Sequence, residues 1–240
     1  MARTAEDIRR AAYEITAAFE GSGYASYQNI DAGIVSYGRF QFTLASGSLA
    51  AVLERYLAAA SSPAAAALRE GYLSRVQARD ETLRGDESLR ALLTGAAEEP
   101  AMQAAQDAVA AERYWDVVQR LSILPRNIQT ALGQAMLFDM AINHGPRHDM
   151  IGLAEAALGV PPKSRMPDNG VAEPELIRRV AQIRQERLYR LADKHGWGGL
   201  RRRGDFWLNL ILAEDWDLLG DTDGLLTILP GRRVRVRWPA

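Results

Sequence analysis

The sequence contains no cysteine, which excludes disulfide bonds, a thiol nucleophile and thiolate ligands for a metal. It has no run of about 18 apolar residues, so no transmembrane helix is predicted. Excess positive charge is also missing: the formal net charge is −1, which argues against a nucleic-acid binder. The N-terminus, MARTAEDIRR, lacks the apolar stretch of a signal peptide, so none is predicted.

What the sequence does contain is enough apolar material for a core. Hydrophobic residues make up 48% of the 240 positions and charged residues 25%, values close to the average for globular proteins. No internal repeat or long polar linker divides the chain, so we expect a single domain over residues 1–240 with two lobes. Of the 29 basic residues only Lys163 and Lys194 are lysine, a bias typical of GC-rich genomes. The alternative explanation of the bias is that arginine guanidinium groups form bidentate hydrogen bonds within polar networks.

The N-terminal segment predicts an amphipathic helix over residues 5–20. Its apolar residues recur every three or four positions, as one face of a helix requires: Ile8, Ala12, Ile15 and Phe19. Thr4 and Asp7 resemble a capping box. The helix should end at Gly21-Ser22-Gly23.

A β-hairpin is predicted next, and helices after it. Residues 24–30 and 34–43 are rich in aromatic and β-branched residues and flank Asp31-Ala32-Gly33, where the glycine is expected to be left-handed. Alternating arginine and valine near the C-terminus favour a short strand over 232–238. The fold class is therefore mainly α (α+β), with helices near 48–60, 63–78, 86–94, 101–121, 127–143, 150–158, 173–195 and 205–213.

Two carboxylates stand out as candidate catalytic groups. Glu20 lies at the C-terminal end of the predicted helix, where the helix dipole and the neighbouring Phe19 disfavour ionisation, as a general acid requires. Asp31 opens the hairpin turn. The alternatives are a solvated helix-terminal glutamate and an aspartate that caps its own turn. Glycoside hydrolases use a pair of carboxylic acids that lie on opposite sides of the scissile bond, as two acids across a groove would.

Several motifs, in order over roughly residues 8–215, resemble glycoside hydrolase family 46 chitosanases. They are Phe19-Glu20, Asn29-Ile30-Asp31, Ser36-Tyr37-Gly38-Arg39-Phe40-Gln41-Phe42, Ser46-Gly47-Ser48-Leu49, Ala104-Ala105-Gln106, Arg113-Tyr114-Trp115-Asp116, Ala131-Leu132-Gly133-Gln134, Phe138-Asp139 and His144-Gly145-Pro146. The resemblance implies a lysozyme-like fold of two lobes, mostly helical, with a small β-sheet at the active-site cleft.

The same resemblance implies an inverting hydrolase of β-1,4-linked glucosamine chains. Glu20 matches the general acid, Asp31 the general base, and Ser36 a threonine that helps to position the attacking water. Asp139 matches an aspartate in a buried network with arginines, for which Arg187 and Arg203 are the candidates. Substrate contacts are expected from Tyr27, Tyr37, Arg39, Ser48 and Tyr114.

Two departures from the family pattern leave the substrate open. Gly33 stands where the family usually carries an arginine, and Ser48 where an acid often contacts the substrate ammonium. The alternatives to a chitosanase are a muramidase acting on peptidoglycan and a non-catalytic glycan-binding module. We expect a polysaccharide partner, no cofactor, a monomer and, from the resemblance, an extracellular location. His144 and His148 have metal-ligand spacing, but Pro146 breaks the helix between them, so no metal site is predicted.

Overall fold

The structure, a computed structural model, describes residues 3–20 and 23–238, with the side chain of Glu20 excepted. The chain forms two compact units. The first comprises Met1–Phe19 and Tyr114–Ala240, and the second comprises Glu20–Arg113. Within the described residues, every helix is too short or too polar to span a bilayer. Helices dominate and two small antiparallel sheets accompany them, which confirms the predicted mainly α (α+β) class.

The first helix, α1 (Ala5–Glu20), has the predicted bounds. Of its predicted apolar face, Ile8, Ala12 and Ile15 are buried and Phe19 is half-buried. The predicted capping box is present, because the Asp7 amide donates to Thr4 Oγ1 at 3.2 Å and the Thr4 amide donates to Asp7 Oδ2 at 3.0 Å. Local sequence alone therefore determines where this helix begins.

The second unit opens with a three-stranded antiparallel sheet of order β1-β2-β3. The strands are short: β1 (Tyr27–Gln28), β2 (Ser36–Tyr37) and β3 (Phe42–Thr43). The predicted hairpin is present as β1 and β2, but the predicted strand over 34–43 is two strands. Gly38 and Gln41 have positive φ values of 83° and 54°, which turn the chain between them.

The helices of the second unit lie in the predicted segments: α2 (Ser48–Ala59), α3 (Pro63–Gly71), α4 (Leu73–Gln77), α5 (Glu87–Ala96) and α6 (Pro100–Ala110). The segment 63–78, predicted as one helix, is two helices that meet at Tyr72. A 3₁₀ helix, Glu81–Gly85, connects α4 to α5. The core of this unit is formed by side chains of the sheet and of α2. Tyr37 and Phe42 from the strands and Leu49 and Leu53 from α2 are all fully buried. Burial of this apolar surface stabilises the sheet against α2.

The helical part of the first unit continues with α7 (Asp116–Val118), α8 (Leu124–Arg126), α9 (Ala131–His144), α10 (Met150–Ala157), α11 (Glu173–His195) and α12 (Gly198–Leu212). The helix predicted over 101–121 is interrupted, because π-helical turns occupy Ala111–Trp115 and Gln119–Ile123. Every residue of α9 from Ala131 to Ala141 is buried, so α9 forms the core of this unit.

A two-stranded antiparallel sheet completes the first unit. Its second strand, β5 (Arg232–Arg235), falls in the predicted C-terminal strand. The partner strand β4 (Leu225–Leu229) was not predicted from the sequence, because its apolar run LLTIL lacks the alternation that identifies a half-buried strand.

Candidate active site

Asp31 lies in the connection between β1 and β2, and three neutral donors hold its carboxylate. The Gly33 amide donates to Oδ1 at 2.8 Å, Gln28 Nε2 to Oδ2 at 2.9 Å, and Ser36 Oγ to Oδ1 at 3.2 Å. Asp31 itself is exposed, whereas Ser36 is fully buried. A carboxylate can accept about four hydrogen bonds. The group is therefore oriented by the fold and still reachable by a water molecule or a substrate.

The position of Ser36 decides what its hydroxyl can do. Ser36 is 0% exposed, so its Oγ reaches the Asp31 carboxylate and has no contact with solvent. The resemblance implied that this residue helps to position a water. In this structure that help can only pass through Asp31, because the hydroxyl is buried and donates its hydrogen bond to the carboxylate.

Gly33 is needed for close packing and not for a left-handed backbone, which corrects the prediction. A Cβ atom at residue 33 would lie 2.6 Å from Ser36 Oγ and 2.9 Å from Asp31 Oδ1. The left-handed residue is instead Ile34, with φ 69°. A β-branched residue rarely adopts this conformation, and strained residues cluster at functional sites. Glycine at 33 therefore lets the serine and the aspartate meet.

Glu20, the predicted acid, is the last residue of α1, and its side chain lies outside the described residues. The C-terminal end of a helix carries partial negative charge, which disfavours an ionised carboxylate there. No basic residue occupies the last turn of α1 to offset that effect. The backbone position is thus the one predicted, and the catalytic role stays a prediction.

Two predicted substrate contacts are corrected by burial. Ser48 is 2% exposed, and its Oγ accepts the Thr43 amide at 2.8 Å and lies 2.8 Å from Ser46 Oγ. Tyr37 is 0% exposed, and its hydroxyl donates to the Leu93 carbonyl at 2.7 Å. Both side chains hold the second unit together and cannot touch a substrate in this conformation. A strand of two residues, such as β2, gives no alternation from which the inward direction of Tyr37 could have been predicted.

Tyr27 lies on β1, one residue before Gln28, and is half-buried. Its hydroxyl has no hydrogen-bond partner among the described residues. The Arg90 guanidinium lies 5.5 Å from the ring centroid, and burial raises the pKa of Tyr27. The hydroxyl oxygen is itself buried, so the expected substrate contact of Tyr27 stays a prediction.

Arg39 belongs to a polar cluster in the second unit. Its Nη1 donates to Tyr24 Oη at 3.0 Å and to Asp107 Oδ1 at 3.2 Å, and its amide donates to Gln106 Oε1 at 2.9 Å. Burial raises the pKa of Tyr24 to about 12. These contacts tie the β2–β3 turn to α6. Tyr114, the remaining predicted contact, belongs to the first unit and is half-buried.

Asp139, on α9, is the centre of a buried charged group in the first unit. Arg203 Nη2 donates to its Oδ1 at 2.6 Å, Trp207 Nε1 to its Oδ2 at 3.0 Å, and Arg184 forms a second ion pair with it. We call these four residues the Asp139 cluster. Burial alone would raise the pKa of Asp139, but the charges of Arg203 and Arg184 hold it below its usual range.

The predicted partner Arg187 is corrected to Arg184. Arg187 Nη1 pairs with Asp149 at 2.8 Å, and its side chain is 30% exposed against 1% for Arg184. The two arginines lie three residues apart on α11, on neighbouring positions of one helical face. Sequence spacing cannot separate such a pair. The side chains that sequence reasoning missed are thus Arg184 and Trp207 here, and Gln28 beside Asp31.

The histidine pair gives no sign of a metal site. Among residues 3–20 and 23–238 there is no group of three or more histidine, aspartate or glutamate side chains arranged to hold a metal ion. His144 Nε2 and His148 Nδ1 are buried without a hydrogen-bond partner in this part of the chain. Burial, followed by the charge of Arg184, lowers the pKa of His144 to about 3 and that of His148 to about 4.

Comparison with solved structures identifies proteins of the same fold. A Glu-to-Ala mutant of the chitosanase from Bacillus subtilis MY002, complexed with 6 GlcN, is 21% identical with a TM-score of 0.74, over 90% of this chain and 93% of that one. The GH46 chitosanase of Gynuella sunshinyii, in complex with chitotetraose, is 23% identical with a TM-score of 0.74, over 94% and 95% of the two chains. The predicted lysozyme-like fold is confirmed by these neighbours.

Comparison with curated proteins found no match. The model of one protein family, glycosyl hydrolase family 46, matches residues 14–203. This range includes Asp31 in the second unit and, in the first, the Asp139 cluster up to Arg203. Since the match spans well over half of the chain, the protein belongs to glycosyl hydrolase family 46 and is a glycoside hydrolase.

Proposed function

We propose that the protein is a chitosanase that cleaves β-1,4-linked glucosamine chains with inversion of configuration. Family membership and neighbours that are chitosanases support the substrate class. The observation that carries the proposal is the Asp31 carboxylate, which is exposed and oriented by Ser36, Gly33 and Gln28. A general base needs both properties: fixed direction and access to water.

In the proposed reaction Asp31 removes a proton from a water molecule as the water oxygen attacks the anomeric carbon. The bond from that carbon to the glycosidic oxygen breaks, and Glu20 gives its proton to the departing oxygen. Inversion requires space for the water, so the two carboxyl groups should lie about 6.5–9.5 Å apart. Ser36 acts through Asp31, because its hydroxyl turns the carboxylate and does not reach solvent.

The first test compares variants of the two acids. Glu20→Gln and Asp31→Asn are nearly isosteric and should fold, yet each should lower kcat on fully deacetylated chitosan by about 10²–10⁴, the usual contribution of general acid–base catalysis. Glu112→Gln is the matched control, since Glu112 makes an exposed ion pair with Arg55 in the same unit. Near-wild-type turnover by either acid variant would refute that assignment.

A second test follows the products. NMR spectra recorded early in the digestion should show the α-anomer before mutarotation, because water attacks the face opposite the leaving group. An initial β-anomer would mean retention and a different role for Asp31. Purified peptidoglycan, assayed in parallel, should release no sugar ends if the enzyme is a chitosanase.

A further inference from the structure

Asp31 lies in a loop whose conformation the sheet does not fix. The Asp31 loop, residues 29–33, is the first part of the connection from β1 to β2, and within it Ile30 is 87% exposed and Ala32 is exposed as well. No apolar side chain of residues 30–32 is buried to anchor it. The loop leads directly into Ile34, whose positive φ of 69° is unfavourable for a β-branched residue. Contacts from outside the loop must therefore hold it in this conformation.

The side chains of Gln28 and Ser36 hold the Asp31 carboxylate, and the Ala45 amide donates to the Gly33 carbonyl at 3.1 Å, but the backbone of residues 29 and 31 is held by Arg84. Its Nη1 donates to the carbonyl oxygen of Asn29 at 2.7 Å and to the carbonyl oxygen of Asp31 at 3.0 Å. In return, the Asn29 side-chain amide donates to the Arg84 carbonyl at 2.6 Å. Three hydrogen bonds thus join the Asp31 loop to the 3₁₀ helix Glu81–Gly85, and two of them end on the guanidinium.

The 3₁₀ helix that carries Arg84 is itself well anchored. Leu83 is fully buried. At the N-terminus of this helix, the Asp80 carboxylate accepts the Thr82 amide at 3.0 Å and Arg75 Nε at 2.8 Å. The hydrogen bonds from Thr82 and Arg75 lower the pKa of Asp80 to about 2, so the carboxylate is ionised at neutral pH and can accept both. Arg84 therefore connects the Asp31 loop to a 3₁₀ helix that its own contacts hold in place.

We propose that Arg84, assisted by Asn29, is the positioning residue that holds the general base Asp31 in its catalytic orientation. The inference rests on the proposed function, because it assigns Arg84 a role only through Asp31. Arg84 contacts the backbone of the loop and does not touch the carboxylate. Its effect is therefore on where the carboxylate lies. Misplacement of a reacting group by about 1 Å can cost about 10²-fold in rate.

The test measures kcat and KM on chitosan for Arg84→Ala, Arg84→Lys and Asn29→Ala. Arg84→Ala should lower kcat about 10- to 100-fold and change KM less than about twofold, because substrate binding does not need the base in place. Arg84→Lys can still donate to both carbonyls and should recover part of the lost kcat. Arg55→Ala is the control, since Arg55 is a half-exposed arginine of the same unit with a single ion pair.

The decisive measurement repeats Arg84→Ala in the Asp31→Asn background. If Arg84 acts through the base, its removal should have no further effect on the residual rate of Asp31→Asn. The same fold loss in both backgrounds would overturn the inference, as would a wild-type kcat for Arg84→Ala or a lysine variant as slow as the alanine variant. If Arg84→Ala does not fold, Arg84→Lys and Asn29→Ala are compared in the wild-type and Asp31→Asn backgrounds in the same way.

Failure of this inference differs from failure of the proposed function. Wild-type activity of Asp31→Asn would refute Asp31 as the base, whatever the Arg84 variants do. A slow Asp31→Asn variant together with a fully active Arg84→Ala variant would refute the positioning role alone.

Discussion

Asp31 and Asp139 are both aspartates held by several hydrogen bonds, but their surroundings are opposite. Asp31 is exposed, and its three donors are a backbone amide, a glutamine amide and a serine hydroxyl, all neutral. Asp139 is fully buried, and its donors are two guanidinium groups and an indole. The first arrangement orients a carboxylate and leaves it reactive, whereas the second fixes its charge permanently.

The comparison also separates two kinds of contribution. Changes around Asp31 should act on catalysis and leave stability nearly unchanged, because an exposed loop buries little surface. Changes in the Asp139 cluster should act on stability, because a buried charge without its partner is costly. Each of the following variants tests one side of this difference.

The largest effect should come from Asp139→Asn. The substitution keeps the shape of the side chain but leaves Arg184 and Arg203 without the carboxylate that they share in the core of the first unit. Breaking a buried pair in this way typically costs about 3–5 kcal/mol of unfolding free energy. Urea denaturation would measure it. Asp193→Asn is the control, since Asp193 pairs with Arg201 at the surface and should lose less than about 1 kcal/mol. Equal losses in the two variants would refute the comparison.

Acid pH should weaken the first unit through its buried histidines. The folded-state pKa of His148 is lowered to about 4 and that of His144 to about 3, from an ordinary value of 6.5, first by burial and then by Arg184. Between the folded-state pKa and the ordinary value of 6.5, the unfolded chain binds more protons than the folded chain. The contribution of the neutral histidines to the unfolding free energy is therefore fully present above about pH 6.5 and is lost as the pH is lowered. At pH 4 the loss should be on the order of 3 kcal/mol for each histidine.

Variants can isolate this pH dependence. His148→Gln should flatten the curve of unfolding free energy against pH between 6.5 and 4, whereas His195→Gln, at the exposed end of α11, should not. If the curves of both variants run parallel to that of the wild type, the buried histidine is not the cause.

How far the sequence could predict these two regions depends on the range of the interactions. The bounds of α1 and α11 and the Thr4–Asp7 cap follow from helical periodicity and local hydrogen bonding, and the sequence predicted them. Asp31 was found because a turn aspartate between two apolar strands is a local signal. Family resemblance then added Asp139 and Arg203, which lie on different helices and have no common local pattern.

What the sequence did not predict depends on tertiary contacts. Arg84 is one of many exposed arginines, and nothing in its neighbours indicates that it reaches residues 29 and 31. Arg184 and Arg187 differ only in which one faces α9, a difference of less than one helical turn. The steric role of Gly33 needs the positions of Ser36 and Asp31 in three dimensions.

On the Asp31 side, Ser36→Ala should reduce catalysis with little loss of stability. The variant removes the hydroxyl that turns the carboxylate, and misplacement of a reacting group by about 1 Å can cost about 10²-fold in rate. We expect kcat on chitosan to fall about 10- to 100-fold, with KM nearly unchanged. Thr94→Ala, which removes a hydroxyl bonded to backbone carbonyls on α5 of the same unit, is the control. A Ser36→Ala enzyme with wild-type kcat would show that the Ser36 hydrogen bond does not orient the base.

The smallest effect should be that of Ser48→Ala, and it distinguishes the structure from the family pattern. If residue 48 contacted the substrate ammonium, loss of its hydroxyl would raise KM on chitosan. The structure instead buries Ser48 at the start of α2, where its hydroxyl accepts the Thr43 amide and is paired with Ser46. Removing it should cost about 1 kcal/mol of unfolding free energy and leave KM unchanged, because only an internal hydrogen bond is lost. Thermal denaturation and chitosan kinetics on the same sample decide the matter: a raised KM with unaltered stability would place Ser48 against the substrate after all.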